Sequence, residues 1–260
     1  MEDSPLALEK WALALWMEVN SKNSISSYEV HRAAGITQKS AWFLLHRLRA
    51  ALKSGSMEKM GGGGNPVEAD ETFVGGLSKN MHLSRRRKTI YGALGGKTPV
   101  MGLLERHSEK PSQVRATVVK SRERESLYPV IHKNVEHGAT IFTDACRSYR
   151  QLPLDFIHYY VDHVEKYVEG QIHTNGLENF WSLFKRCIKG THVSVDPVHL
   201  QAYVDSEAFR FNNRKLNDGG RFLLAAQGLH GKRLTYSALI GASEVAPGSG
   251  KDAADGEFLI

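Results

Sequence analysis

Four consecutive glycines, Gly61 to Gly64, followed by Asn65-Pro66, set the strongest limit on how this chain can fold. A run of this kind cannot hold a helix, because glycine gives up the most backbone freedom on ordering. It reads as a linker over residues 61–66 and divides the sequence. Residues 1–60 are rich in helix formers at helical spacing, while residues 67–240 alternate strands with helices. Residues 241–260 are small, polar and net acidic, and are expected to be disordered. No internal repeat is present.

In the first block, ISSYEVHRAAGITQKSAWFLLHRLRAAL has the form of a helix-turn-helix. Ser26 or Ser27 caps a short helix ending near Ala34, and Gly35 supplies the turn. Thr37 caps a second helix whose Ala41, Leu44, Leu45 and Leu48 share one buried face. Its other side offers Gln38, Lys39, Phe43, His46 and Arg47. Such a helix suits the major groove, its first residues on base edges and its basic residues on phosphates. A helical hairpin that only packs against the next domain has the same pattern.

The second block reads as three strands, a helix, a strand and two helices. NPVEADETFVGG, PVMGLLERH and QVRATVVK are the strands, each bounded by turn formers. RESLYPVIHKNV is a helix, ATIFTDAC a short buried strand and HYYVDH a further edge strand. GLENFWSLFKRCIKG is helical, and DPVHLQAYVDSEAFRFNNR is another helix with Asp196 as cap and Pro197 in its first turn. That order predicts an α/β domain, a mixed sheet flanked by helices.

Three carboxylates stand out. Alternation in the first strand puts Glu68, Asp70 and Thr72 on one face and Ala69, Glu71 and Phe73 on the other. Acidic residues are depleted in strands, so Asp70 invites a reason, with a solvated edge as the plain alternative. Asp144 ends the apolar run Ala139–Phe142, either as a functional carboxylate or as a turn former. Glu178 opens a helix whose Leu177, Phe180, Trp181, Phe184 and Ile188 mark the buried face. Lys185 and Lys189 share the opposite face with Glu178. Asn175 with Glu178 is also a capping-box pattern, so capping and catalysis both remain open for Glu178.

Taken together, the three acids suit a site for hard cations. Oxygen donors select Mg²⁺ or Mn²⁺ over zinc, and two such ions about 4 Å apart drive phosphodiester displacement. Competing chemistries lack their residues. The glycine-rich GGGG and GALGG have no GK[ST], the twelve histidines show no HExxH, and the two cysteines, Cys146 and Cys187, form no CxxC pair. A net charge of +6 favours an anionic partner, with nucleic acid first. Arg85, Arg86, Arg87 and Lys88, between the first two strands, are candidate phosphate contacts. The N-terminus lacks the basic start of a signal peptide, and no apolar run reaches membrane-span length, so a cytoplasmic setting is expected.

The segments VEADETFVGG, GGKTPVMGLLER, TDACRSY, HTNGLENFWSLFKRCIKGTHVSV and HLQAYVDSEAFRFNNR resemble the core of bacterial insertion-sequence DDE transposases. SISSYEVHRAAGITQKSAWFLLHRLR resembles the helix-turn-helix of the same group. The resemblance implies a ribonuclease-H-like catalytic domain at 67–240 behind a small all-α helix-turn-helix domain at 1–60. It implies Asp70, Asp144 and Glu178 as the acids holding Mg²⁺ or Mn²⁺, and Lys185 on DNA near the scissile phosphate. Asp144 and Glu178 lie 34 positions apart, which suits that pattern. Some relatives carry asparagine as the third residue, which keeps Asn175 and Asn179 as alternatives. The implied activity is cutting at terminal inverted repeats and joining the 3′ ends to target DNA. A homo-oligomer on double-stranded DNA is implied, nucleoid-associated in a bacterium. Gln38, Lys39, Arg47 and Lys189 join the expected DNA contacts. The group's N-terminal zinc ribbon, expected before Pro5, has no counterpart in this sequence. The alternatives are a DNA-binding remnant without catalysis and a structure-selective nuclease of the same fold.

Overall fold

The computed structural model describes residues 4–53, 58–76, 96–107, 109–144, 149, 152, 155–161 and 173–241. Arg85 to Lys88, Cys146 and the tail from residue 242 lie outside the described residues.

Three helices open the chain: α1 (Leu8–Asn20), α2 (Ser27–Ala34) and α3 (Gln38–Leu52). Ser26 is the residue that caps α2. Its hydroxyl accepts from Glu29 N while the Glu29 carboxylate takes the Ser26 N–H, which satisfies two orphan donors. Gly35 ends α2 in the left-handed region at φ 60°, and the Thr37 hydroxyl accepts from Ser40 N to start α3. His46 does not sit on an open face. It is 1% exposed, packed among Trp42, His199 and Tyr203.

The glycine run forms a tight turn, with Gly61, Gly63 and Gly64 all at positive φ. It is tied down on both sides. Gly61 N donates to Glu105 Oε1 at 2.7 Å, and a Cβ on Gly61 would lie 2.5 Å from that of Ala139.

Five strands follow: β1 (Val67–Val74), β2 (Thr98–Glu105), β3 (Gln113–Val118), β4 (Thr140–Asp144) and β5 (Ile157–Val161). They form one mixed sheet in the order β3-β2-β1-β4-β5. The pairs β1–β2 and β2–β3 are antiparallel, and β1–β4 and β4–β5 are parallel. As predicted, HYYVDH supplies an edge strand.

Period-two alternation sorts the two faces. Val67, Ala69, Met101, Leu103 and Ile141 pack with Leu127 and Ile131 of α4 (Arg124–Asn134). Val100, Leu104, Val114 and Ala116 face α5 (Asn175–Cys187) and α6 (Leu200–Asn212). A mixed sheet covered on both sides is the layer arrangement expected from the sequence. A single π turn, Ile188–His192, joins the end of α5 to the loop before α6. That last helix starts later than Asp196-Pro197 predicts. Asp196 Oδ1 accepts from Val198 N at 3.1 Å and its carbonyl from His199 N, so the residue builds a turn instead of capping a helix.

Two further helices, α7 (Asp218–Gln227) and α8 (Tyr236–Ile240), were not read from the sequence. The N-terminal helices share their core with Phe209 of α6 and Ala225 of α7. A buried ionic cluster crosses this junction. Arg49 of α3 pairs with Glu18 of α1 at 2.9 Å, and Arg210 of α6 reaches the Glu18 carbonyl, Ser206 and Glu207. Burial pushes the Glu18 carboxyl up, but Arg49 and Arg210 outweigh it and hold it below the usual range. Among the described residues, no helix is long and apolar enough to cross a membrane.

Candidate active site

Register brings the first two acids together. In the parallel pair β1–β4, Val67 lies beside Ile141 and Glu68 beside Phe142. Carrying that offset two residues further sets Asp70 beside Asp144, the last residue of β4. Both are half-buried. Burial and the neighbouring Asp144 charge raise the Asp70 carboxyl to about 6, and Glu178 adds to the same field. A half-buried carboxylate raised by burial and by a neighbouring acid is one whose charge a cation would stabilise. Half-buried oxygen donors on two neighbouring interior strands suit a hard divalent ion in this place.

Helix α5 is docked over Asp70 by a specific device. Gly102 of β2 is the antiparallel partner of Asp70. A Cβ there would fall 2.6 Å from Trp181 Cζ2 and 2.8 Å from Leu177 Cδ2. The absence of that atom lets the indole lie against the strand. Trp181 Nε1 then donates to Asp70 Oδ2 at 3.0 Å. Trp181 is core, as its helical spacing predicts, and is 4% exposed. Its role as a donor to the first acid was not legible from that spacing.

The helix start is fixed from β1 as well. Glu68, 1% exposed, accepts from Leu177 N at 2.8 Å and pairs with Arg106 Nε at 2.6 Å. Arg106 also reaches the His173 ring and carbonyl. Gly176 leaves room for this carboxylate, since a Cβ would sit 2.9 Å from Glu68 Oε2. Capping of α5 therefore falls to Glu68 and not to Glu178. The Glu178 side chain is exposed in the first turn and has no hydrogen bond or ion pair among the described residues. Within those residues, no group of three His, Cys, Asp or Glu side chains lies close enough to hold a metal ion. Glu178 thus stands near the aspartate pair without closing on it.

On the opposite face of β1, Tyr149 donates its hydroxyl to Glu71. Burial raises Glu71 to about 7, with the aspartates adding to it, and drives the Tyr149 phenol well above its ordinary value. The bond ties β1 to the chain beyond β4, close to both aspartates. Glu68 and Glu71 carried a signal in the sequence, as two further acids in the same strand, but nothing there distinguished their roles.

The pattern of the ISXO2-like transposase domain matches residues 61–212. The chain belongs to the ISXO2-like transposase family. The match takes in the whole sheet together with α5 and α6. The chain is also 27% identical over 232 residues to a Halobacterium salinarum protein, "Uncharacterized protein in transposable element ISH50", with 85% of this chain and 74% of that one covered. An "Uncharacterized transposase-like protein" of Haemophilus influenzae is 29% identical over 105 residues, 40% of this chain and 85% of that one. No solved structure matches at a significant level.

The remaining residues expected to meet DNA in this transposase-family chain fall in two places. Lys185 and Lys189 line a groove beside α5. On α3, Gln38 and Arg47 are engaged within the fold, and Lys39 is exposed. Gln38 Nε2 donates to Ser27 Oγ at 2.9 Å, Lys39 lies over Tyr236, and the Arg47 guanidinium stacks on Trp11 at 4.6 Å. Burial and Arg233 lower the Arg47 guanidinium from its ordinary value.

Proposed function

We propose that this member of the ISXO2-like family is a DDE-type transposase that cuts DNA at terminal inverted repeats and joins the freed 3′ ends to target DNA. The observation that carries the reading is the placement of Asp70 beside Asp144 under a helix bearing Glu178 and Lys185, in a chain of a transposase family. The sheet order, three antiparallel strands followed by two parallel ones, is compatible with a ribonuclease-H-like domain.

In this reading Asp70 and Asp144 hold Mg²⁺ or Mn²⁺, and Glu178 closes on the site when DNA is bound. When present, the ions supply activation of the attacking oxygen and stabilisation of the leaving oxygen. The protein's own part is orientation. Trp181 N–H holds one oxygen of Asp70 and so fixes the carboxylate's orientation. Glu68 fixes the first turn of α5, so that Glu178 is presented from a rigid start. Lys185 lies two turns along, about 10 Å from Glu178, within reach of the same DNA strand. The N-terminal helices contribute Lys39, exposed in the first turn of α3, to DNA, and the acting form is a multimer on DNA in the cytoplasm.

The test is a cutting and joining assay on DNA carrying the sequences that flank the gene. Wild type is expected to cut and join with Mg²⁺, and Asp144→Asn to lose both while still binding DNA. Binding without cutting in wild type, with Mg²⁺ or Mn²⁺, would replace this reading with a non-catalytic DNA-binding protein. Cutting of branched DNA without joining would point to a nuclease.

A further inference from the structure

The strongest unassigned feature is the groove beside α5, about 950 Å³ in volume. That is within the range of small-ligand pockets. It opens between the ends of β1 and β2 on one side and the π turn with residues 193–197 on the other. Phe73, Ile188, Val195 and Leu200 give it apolar walls, and Lys97, Lys185 and Lys189 bring three positive charges. Among the described residues none of these lysines has a hydrogen bond or an ion pair. The acid in the groove, Asp196, is engaged with Val198 N. Lys185 near the end of α5 and Lys189 in the π turn are like charges four residues apart, a mild repulsion that an anion would relieve.

A second, independent observation lies on the rim. Val193 adopts φ 61° and ψ −52°, and Ser194 N donates to the His192 carbonyl at 2.6 Å. This is a γ-turn of the strained hand, built on a β-branched residue that the left-handed region excludes most strongly. Such strain costs about 1–3 kcal/mol and persists only when the surroundings impose it. They do so here. Thr191 Oγ1 donates to the Asn23 carbonyl, His192 Nε2 meets Ser24 Oγ, and the His192 ring packs edge-on against Tyr203. The result is an apolar side chain, 79% exposed, held at the mouth of a cationic groove.

We infer that this groove receives an unpaired nucleotide of the DNA, its base against Val193, Val195 and Ile188 and its flanking phosphates on Lys185, Lys189 and Lys97. The inference rests on the reading of the chain as a DNA transposase and adds the form of DNA bound. Apolar walls match the face of a base that has left its stack, and the lysines match phosphates on either side of it. A fully paired duplex offers only its backbone to such a surface and leaves the apolar walls without a partner. Val193 acts as the wedge that keeps the nucleotide out of its stack, as apolar side chains do at unstacked steps.

The experiment compares, by fluorescence anisotropy in EDTA, the full chain binding a blunt duplex and the same duplex with a three-nucleotide unpaired tail. A 2-aminopurine in the tail reports the environment of the base. Wild type is expected to bind the tailed DNA about 10-fold more tightly, with a change in 2-aminopurine emission. Val193→Gly relieves the strained φ, so its melting temperature should equal or exceed that of wild type, which keeps misfolding out of the result. It is expected to bring the tail preference to within about twofold while blunt-duplex affinity holds. Lys189→Gln should weaken binding to both DNAs and lower the salt dependence. Equal affinity of wild type for the two DNAs, or a preference that survives Val193→Gly, overturns the inference. Because EDTA removes catalysis, a tail preference without any Mg²⁺-dependent cutting would sink the transposase chemistry alone. Cutting without a tail preference would sink the groove alone.

Discussion

Adding a single methyl group to the strand opposite Asp70 is expected to disable the site. In Gly102→Ala the new Cβ would meet Trp181 Cζ2 at 2.6 Å, Leu177 Cδ2 at 2.8 Å and Trp181 Cη2 at 2.9 Å. Carbon atoms rest at about 3.5–4.0 Å, so α5 must withdraw by about 1 Å. The Trp181 to Asp70 bond, now 3.0 Å, would stretch beyond useful geometry. Overpacking of this kind costs about 1–3 kcal/mol of stability, and a misplacement of about 1 Å costs about 100-fold in rate. The assay is the rate of Mg²⁺-dependent cutting, measured beside thermal unfolding and DNA affinity. Cutting should fall about 100-fold with affinity nearly unchanged. Combining Gly102→Ala with Trp181→Phe makes room for the methyl, so the double variant should lose less stability than the sum of the two single losses. Wild-type cutting by Gly102→Ala, with an unshifted melting temperature, would refute the docking of α5 through this glycine.

Two further outcomes follow from buried charge. Glu68→Gln leaves Arg106 without its carboxylate and weakens the acceptor of Leu177 N; breaking a buried pair costs at most about 3–5 kcal/mol, and a stability loss from urea unfolding of less than a tenth of that would contradict the capping role. His46 and His192 are lowered by burial, then by Arg49, to about 3 and about 4, below the ordinary value of 6.5. Both are neutral when folded, so the unfolded chain binds more protons as pH falls below 6.5. The stability they lend is present above pH 6.5 and is lost between 6.5 and about 3. Thermal melts from pH 7.5 to 4 should show that loss, and His46→Phe should reduce its slope.

Much of this architecture was legible in the chain. The five strands, the edge strand among them, follow from alternation and turn formers, and the face-sharing of Glu68 and Asp70 follows from period two. The proximity of Asp70 to Asp144 was not legible, because it depends on the parallel register of β1 and β4, which only the folded sheet sets. Glu178 carried two readings in sequence, since a first-turn glutamate after Asn175 matches a cap as well as a ligand. Packing decided the capping half, because Glu68 reaches across from the strand to take that role. The face of α3 was misread at His46 for a related reason. Helical spacing marks one buried stripe, but α6 buries a second stripe of the same helix through Tyr203. The helices α7 and α8 passed unseen, being short and held mainly by tertiary contact with α1 and Phe43.

One rate tests most directly whether Glu178 completes the aspartate pair as the third acid. Mg²⁺-dependent cutting by Glu178→Gln should fall well beyond the roughly 10- to 100-fold that loss of an outer partner costs, with DNA affinity and melting temperature close to wild type. Cutting that persists within about 10-fold of wild type would contradict the claim and remove Glu178 from the site.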